Sequence, residues 1–196
     1  MGLLSNLALL LAATSAVVAE TTATPNVPKI SSITFSGSGC TRDPKFSGTF
    51  SDPKLTFHDF SATLPGKNQT VHCQAHLQAT GGSKGWQYAV KSNTIRGHVV
   101  LQPGTALTHY TTVYFSQKPA DTESFKDTLS NSGNRTINRS VVLAGKSDGK
   151  KVWSPCIGSD GYTGMLNVNF RAVLTGDAKA YFEATSEEWD VEWRQC

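Results

Sequence analysis

In the stretch MLNVNFRAVL, Leu166, Val168, Phe170, Ala172 and Leu174 take every second position, with Asn167, Asn169 and Arg171 between them. A period of two is the pattern of a strand with one buried face. The run from Val71 to Ala79 repeats it. Val71, Cys73, Ala75, Leu77 and Ala79 point one way, and His72, Gln74, His76 and Gln78 the other. Shorter segments of β-branched and aromatic residues precede and follow these two: KISSITF from Lys29, Phe46 to Phe50, Trp86 with Tyr88 and Val90, and IRGHVVL from Ile95. AYFEAT and WDVEWR near the end read as two more strands, the second with Trp189, Val191 and Trp193 in phase.

Two places break the simple alternation. In LTFHDFSATL, Leu55 and Phe57 share one phase while Phe60, Ala62 and Leu64 share the other, so a β-bulge is predicted near His58 and Asp59. In TALTHYTTVYF, Leu107, Val113 and Phe115 fall on one face with His109 and Thr111. Tyr110 and Tyr114 fall on the other with Thr108 and Thr112. That second face is either covered by another sheet or presents two tyrosines to solvent.

The span from Ser116 to Asn138 is polar and reads as a long loop, with a short helix at DTESFKDTL capped by Asp121 or Thr122. A hairpin is predicted next, from Val141 to Leu143, through the turn at Ser147 to Gly149, to Val152 and Trp153. About ten short strands separated by turn residues, with little helical periodicity, predict an all-β fold, an antiparallel β-sandwich resembling a jelly roll. One-sided apolar faces favour antiparallel pairing.

The chain ends divide this domain from its surroundings. Residues 3 to 19, LLSNLALLLAATSAVVA, form an apolar core too short to span a bilayer comfortably, closing on small residues. Residues 1 to 19 are therefore expected to be a signal peptide cleaved after Ala19, residues 20 to 29 a linker, and residues 30 to 196 one domain. No membrane span is expected once that segment is removed, and the protein is expected to be secreted and extracellular, with the cell wall as one destination. The four cysteines, Cys40, Cys73, Cys156 and Cys196, then read as two disulfides. Of three connectivities, Cys40 with Cys73 and Cys156 with Cys196 is preferred because each closes a moderate loop, worth about 4 kcal/mol on the chain-entropy model. Asn68, Asn134 and Asn138 head N-x-Ser/Thr sequons beside turns or loops and are expected to carry glycans.

The features taken in order are FSGSGC at Phe35 to Cys40, LTFHDF at Leu55 to Phe60, Cys73 after a sequon, GWQYAV at Gly85 to Val90, IRGHVVLQPG at Ile95 to Gly104, and PCIG with LNVNF. This order resembles the small secreted, cysteine-containing proteins of filamentous fungi and some bacteria grouped as domain-of-unknown-function family number 4360. The resemblance implies secretion and a β-rich fold, and it brings no catalytic residues with it.

The chemistry-bearing residues argue against several functions. The formal charge is +3 and the eighteen Lys and Arg are scattered, without the basic stripe a nucleic acid would want. His72 and His76 lie four apart on one strand face, about 13 Å, too far to share one metal ion, and no CxxC pair marks a thiolate site. No metal or other cofactor is expected. Ser147 and Ser159 lack the GxSxG elbow of the hydrolase fold. Glu187 with Glu188 and Asp52 with Asp59 read as solvated charges rather than a glycosidase couple, so a hydrolase ranks last. Tyr110, Tyr114, Trp86, Trp153 and Tyr162 are candidate platforms on which sugar rings stack, with Thr and Asn side chains for the hydroxyls. The expected function is a noncatalytic module binding extracellular or cell-wall polysaccharide. The alternative is an effector or structural protein acting through contacts with a host or neighbouring-cell protein.

Overall fold

The computed structural model describes residues 24–196. The predicted signal peptide lies outside the described residues, as does the start of the linker. Twelve strands are present: β1 Lys29–Ser36, β2 Lys45–Gly48, β3 Pro53–Thr56, β4 Ser61–Leu64, β5 Thr70–Thr80, β6 Trp86–Leu101, β7 Ala106–Phe115, β8 Lys118–Ser130, β9 Ile137–Ala144, β10 Lys146–Ser147, β11 Met165–Thr175 and β12 Ala180–Gln195. They form two antiparallel sheets, one ordered β1-β5-β11-β7-β8-β10 and the other β2-β3-β12-β6-β9 with β4 also paired to β12. Among the described residues there is no helix, hence none long and apolar enough to cross a membrane.

β11 sits at the centre of the first sheet, between β5 and β7, as its strict alternation requires. Its inner residues meet those of the facing sheet. Phe170 stacks on Phe60 at 4.6 Å between ring centroids, and both are wholly buried. Each such ring removed from water contributes about 2–3 kcal/mol before cavity effects are counted.

The predicted bulge at His58 and Asp59 is realised as a full break. β3 ends at Thr56 and β4 starts at Ser61, yet Leu55, Phe57, Phe60, Ala62 and Leu64 are all buried, as the phase argument required. The register irregularity itself lies in the partner strand, β12, between Ala184 and Ser186. Gly97 stands opposite Ala184 there. A Cβ on it would strike the Glu183 carbonyl and come within 3.1 Å of the Phe182 ring, so the close approach needs glycine.

Two expectations are corrected. The span from 116 is neither a long loop nor a helix for most of its length. Ser116 and Gln117 turn the chain, and β8 then pairs with β7 at Lys118 and from Thr122 to Ser130, with a register shift between. β8 is covered on its inner side only: Glu123 and Phe125 are buried, Leu129 is half-buried, and its other positions need no apolar side chain. Its polarity therefore concealed a strand. The predicted hairpin after Val141 does not form either. β9 pairs with β6 in one sheet, whereas β10 pairs with β8 in the other, so the chain changes sheets at Gly145. A Cβ at Gly145 would sit 2.7 Å from the Phe125 backbone, which explains why the crossing is made on a glycine.

The disulfides are Cys40–Cys73, with Cα atoms 5.4 Å apart, and Cys156–Cys196, with Cα atoms 6.0 Å apart, the pairing preferred from loop length. The first is buried beneath the sheets. The second joins the end of β12 to the segment 152–157, which runs along β6 through Ser154 N–H to Tyr88 C=O (2.8 Å) and Ile157 N–H to Trp86 C=O (2.8 Å).

Candidate functional site

The outer face of the β1-β5-β11-β7-β8-β10 sheet collects the polar halves of its alternating strands. Antiparallel register lines them up in rows: His76, Asn167, Tyr114 and Thr122 in one, Gln74, Asn169, Thr112 and Ser124 in the next, His72, Arg171, Tyr110 and Lys126 in a third. Side chains of neighbouring rows then bond one another. Gln74 Nε2 donates to the Tyr114 hydroxyl at 2.8 Å, and Asn167 Nδ2 donates to Ser116 Oγ at 2.9 Å. His76 Nδ1 lies 2.7 Å from Asn167 Oδ1, and Nε2 lies 3.2 Å from Ser36 Oγ. Because the Asn167 oxygen can only accept, the neutral imidazole carries its proton on Nδ1 and accepts the Ser36 hydroxyl at Nε2. Asn167 is only 2% exposed although it belongs to the outer face, because these neighbours cover it.

Tyr110 and Tyr114 are half-buried on this face, about 13 Å apart along β7. The face is therefore open, which resolves the ambiguity of that strand. Lys126 holds its ammonium 5.1 Å from the centre of the Tyr110 ring. The result is a sheet surface of two phenol rings set among amides, imidazoles and hydroxyls that fix one another's orientation.

The other three aromatic candidates are not gathered there. Tyr162 stands at one end of the face, its hydroxyl accepting from Gln117 Nε2 at 3.5 Å. Trp86 opens β6 in the facing sheet, and Trp153 lies on the 152–157 segment, with the Arg194 guanidinium 3.9 Å over its ring. His72 and His76 both point outward from β5, and both ring nitrogens of His76 are engaged. Asn68, Asn134 and Asn138 are all exposed. Asn68 lies in the turn before β5 and Asn134 in the connection from β8 to β9, whereas Asn138 is on β9 and its Oδ1 bonds His98 Nε2 at 2.8 Å.

Glu187 contradicts the solvated-charge reading. It is 1% exposed, in the interior. Inward residues of β12 run Ala180, Phe182, Ala184 up to the irregularity, and Glu187 and Trp189 beyond it. The signal was present in the sequence, since AYFEAT and WDVEWR have opposite phases and one continuous strand must slip between them. Asn93 Nδ2 donates to Thr111 Oγ1 at 2.6 Å and reaches Glu187 Oε1 at 3.4 Å. Burial pushes the Glu187 carboxyl up to about 7. Trp189, Asn93 and Thr111 oppose the shift, though the Trp189 indole N–H reaches no acceptor at hydrogen-bond geometry. On β6, β7 and β12 alike, this polar layer separates two apolar clusters, with Ile95, Leu107 and Ala184 on one side and Val90, Val113 and Trp189 on the other. His109, also on the inner side of β7, has neither ring nitrogen bonded. Burial lowers its pKa against the pull of Asp127.

A family profile described as a domain of unknown function, DUF4360, matches residues 26–196. The chain belongs to the DUF4360 family. No curated protein matches this DUF4360 chain. Among solved structures, the enzymatically active domain of tailspike protein 4 from bacteriophage CBA120 aligns at 13% identity and a TM-score of 0.26, covering 85% of this chain and 20% of that one. This chain thus spans about a fifth of the tailspike chain. TmCBM61, solved with β-1,4-galactotriose, aligns at 8% identity and a TM-score of 0.26, covering 86% of this chain and 91% of that one. At TM-scores this low neither likeness says what a DUF4360 protein binds.

Proposed function

We propose that the protein is a secreted, noncatalytic module that binds extracellular or cell-wall glycans on the outer face of the β1-β5-β11-β7-β8-β10 sheet. The observation that carries this reading is the pairing of Tyr110 and Tyr114 on an open face that also carries Gln74, His76, Asn167, Asn169 and Thr112. Sugar rings present an apolar C–H face and a rim of hydroxyls, and this surface offers both counterparts. Because the amides and the imidazole are bonded to one another, little side-chain entropy is lost when they receive a ligand.

Two disulfides fit an oxidising compartment, in keeping with export. Glycans on Asn68, Asn134 and Asn138 would spring from turns and from β9 in the opposite sheet, leaving the tyrosine face clear. A mass decrease on enzymatic deglycosylation of the exported protein tests that placement.

The binding test is cosedimentation with insoluble chitin, β-glucan and mannan. Retention on at least one, lost in the Tyr110→Ala/Tyr114→Ala double variant, is the expected result. Retention that survives the double variant, or no retention on any of them, refutes the site. Turnover on a glycan and ester panel would refute the noncatalytic role.

A further inference from the structure

A groove of about 390 Å³ lies where the start of β8, the residues before Trp153, and the ends of β6 and β12 come together. Lys118, Lys150, Lys151 and Arg194 line it, from positions far apart in the chain. Lys151 is paired with Glu192, but Lys118, Lys150 and Arg194 have no ion-pair partner among the described residues. Asp121 is the one acid in the lining, so the free charge in the groove is positive.

Arg194 differs from an ordinary surface arginine. Its guanidinium lies 3.9 Å over the Trp153 ring. The Gln87 amide, oriented by its bonds, donates to the Ser154 carbonyl at 3.1 Å and accepts from Arg194 Nε and Nη2 at 3.0 and 3.2 Å. Those two bonds use only part of a five-donor fork. The cation is thus held by a ring and an amide, with N–H groups left over and no carboxylate of its own. Holding it beforehand removes most of the entropy that an exposed arginine loses when it captures an anion. The Cys156–Cys196 bond ties the segment carrying Trp153 to the strand carrying Arg194.

We propose that this groove is a second binding site, for a carboxylate-bearing saccharide such as a uronate unit of an acidic polysaccharide. Arg194 takes the carboxylate, Lys118 and Lys150 add attraction, and Gln87 and Trp153 hold the guanidinium in place. A groove of this size falls in the range of small-ligand sites, roughly 300–1,000 Å³. The choice of a saccharide over another anion rests on the glycan-binding reading above; the anion site itself does not.

The test measures binding of the full exported protein to polygalacturonate, to a neutral β-glucan and to polyglutamate, at low and high salt. Expected are binding to polygalacturonate that weakens with salt and falls about tenfold or more in Arg194→Gln, the loss of one charge-assisted contact. Since Arg194 is close to Cys196, the Lys118→Gln/Lys150→Gln variant serves as a second probe and should weaken polygalacturonate binding several-fold. Polygalacturonate binding unaffected by either variant, or absent, overturns the proposal even if neutral glucan binds. Polyglutamate binding as tight as polygalacturonate also overturns it, because the groove would then read charge alone. Failure to bind chitin, β-glucan and mannan, with polygalacturonate still bound, would refute the tyrosine face and leave this site standing.

Discussion

Replacing Glu187 with glutamine exchanges a buried carboxyl for a neutral group of the same shape. Below about pH 4.5 the wild-type carboxyl is protonated in both folded and unfolded chains, and burial carries no ionic penalty. Between 4.5 and about 7 it stays protonated only in the folded chain, so stability falls as pH rises. Above 7 it is ionised in both, and the whole penalty applies. A tenfold difference in proton affinity is worth about 1.4 kcal/mol, so the full loss is about 3 kcal/mol. In a domain of this size that corresponds to roughly 6–12 °C in Tm. Asn93, Thr111 and Trp189 face the group, and Asn93 Oδ1 has no hydrogen-bond partner, so a glutamine amide would have an acceptor within its layer. Urea unfolding of both proteins at pH 4, 6 and 8 gives the difference directly. His109 titrates in the opposite sense, losing stability as pH falls through its unfolded value, but it cancels in the comparison. Glu187→Gln is expected to match wild type at pH 4 and to exceed it by about 3 kcal/mol at pH 8. A difference that does not change with pH would refute the argument.

Phe170→Ala should cost about 3–5 kcal/mol by urea denaturation, because Phe60 and the facing sheet cannot close the space left by a wholly buried ring. Gly97→Ala should destabilise by about 1–3 kcal/mol, since its methyl would meet the Glu183 carbonyl and the Phe182 ring; an unchanged denaturation midpoint would show that β12 can shift. Removing the second disulfide as Cys156→Ser/Cys196→Ser should lower stability by up to about 4 kcal/mol and weaken polygalacturonate binding. Loss of stability with binding intact would separate the bond from the groove.

Residue alternation made much of the fold legible. Leu166 to Leu174 and Val71 to Ala79 each declare a buried face without reference to any partner, and the slip at His58 and Asp59 was resolved by burying both apolar sets. β8 escaped because a strand covered on one side only needs just Glu123, Phe125 and Leu129 inward, and such a sparse pattern looks like loop. The candidate site was half legible. Tyr110 and Tyr114 were placed on one face by their spacing, whereas which face remained open depended on what packed against β7.

The sequence alone determined a double-sheet β protein and the shared face of the tyrosine pair, and favoured one of three cysteine pairings, because a period of two and a moderate loop length are local properties of the chain. Only the tertiary structure decided that Glu187 lies inside and that Lys118, Lys150, Trp153 and Arg194 meet in one groove. The first depends on where β12 slips against β6. The second depends on strands distant in sequence ending at the same corner, which no local pattern encodes.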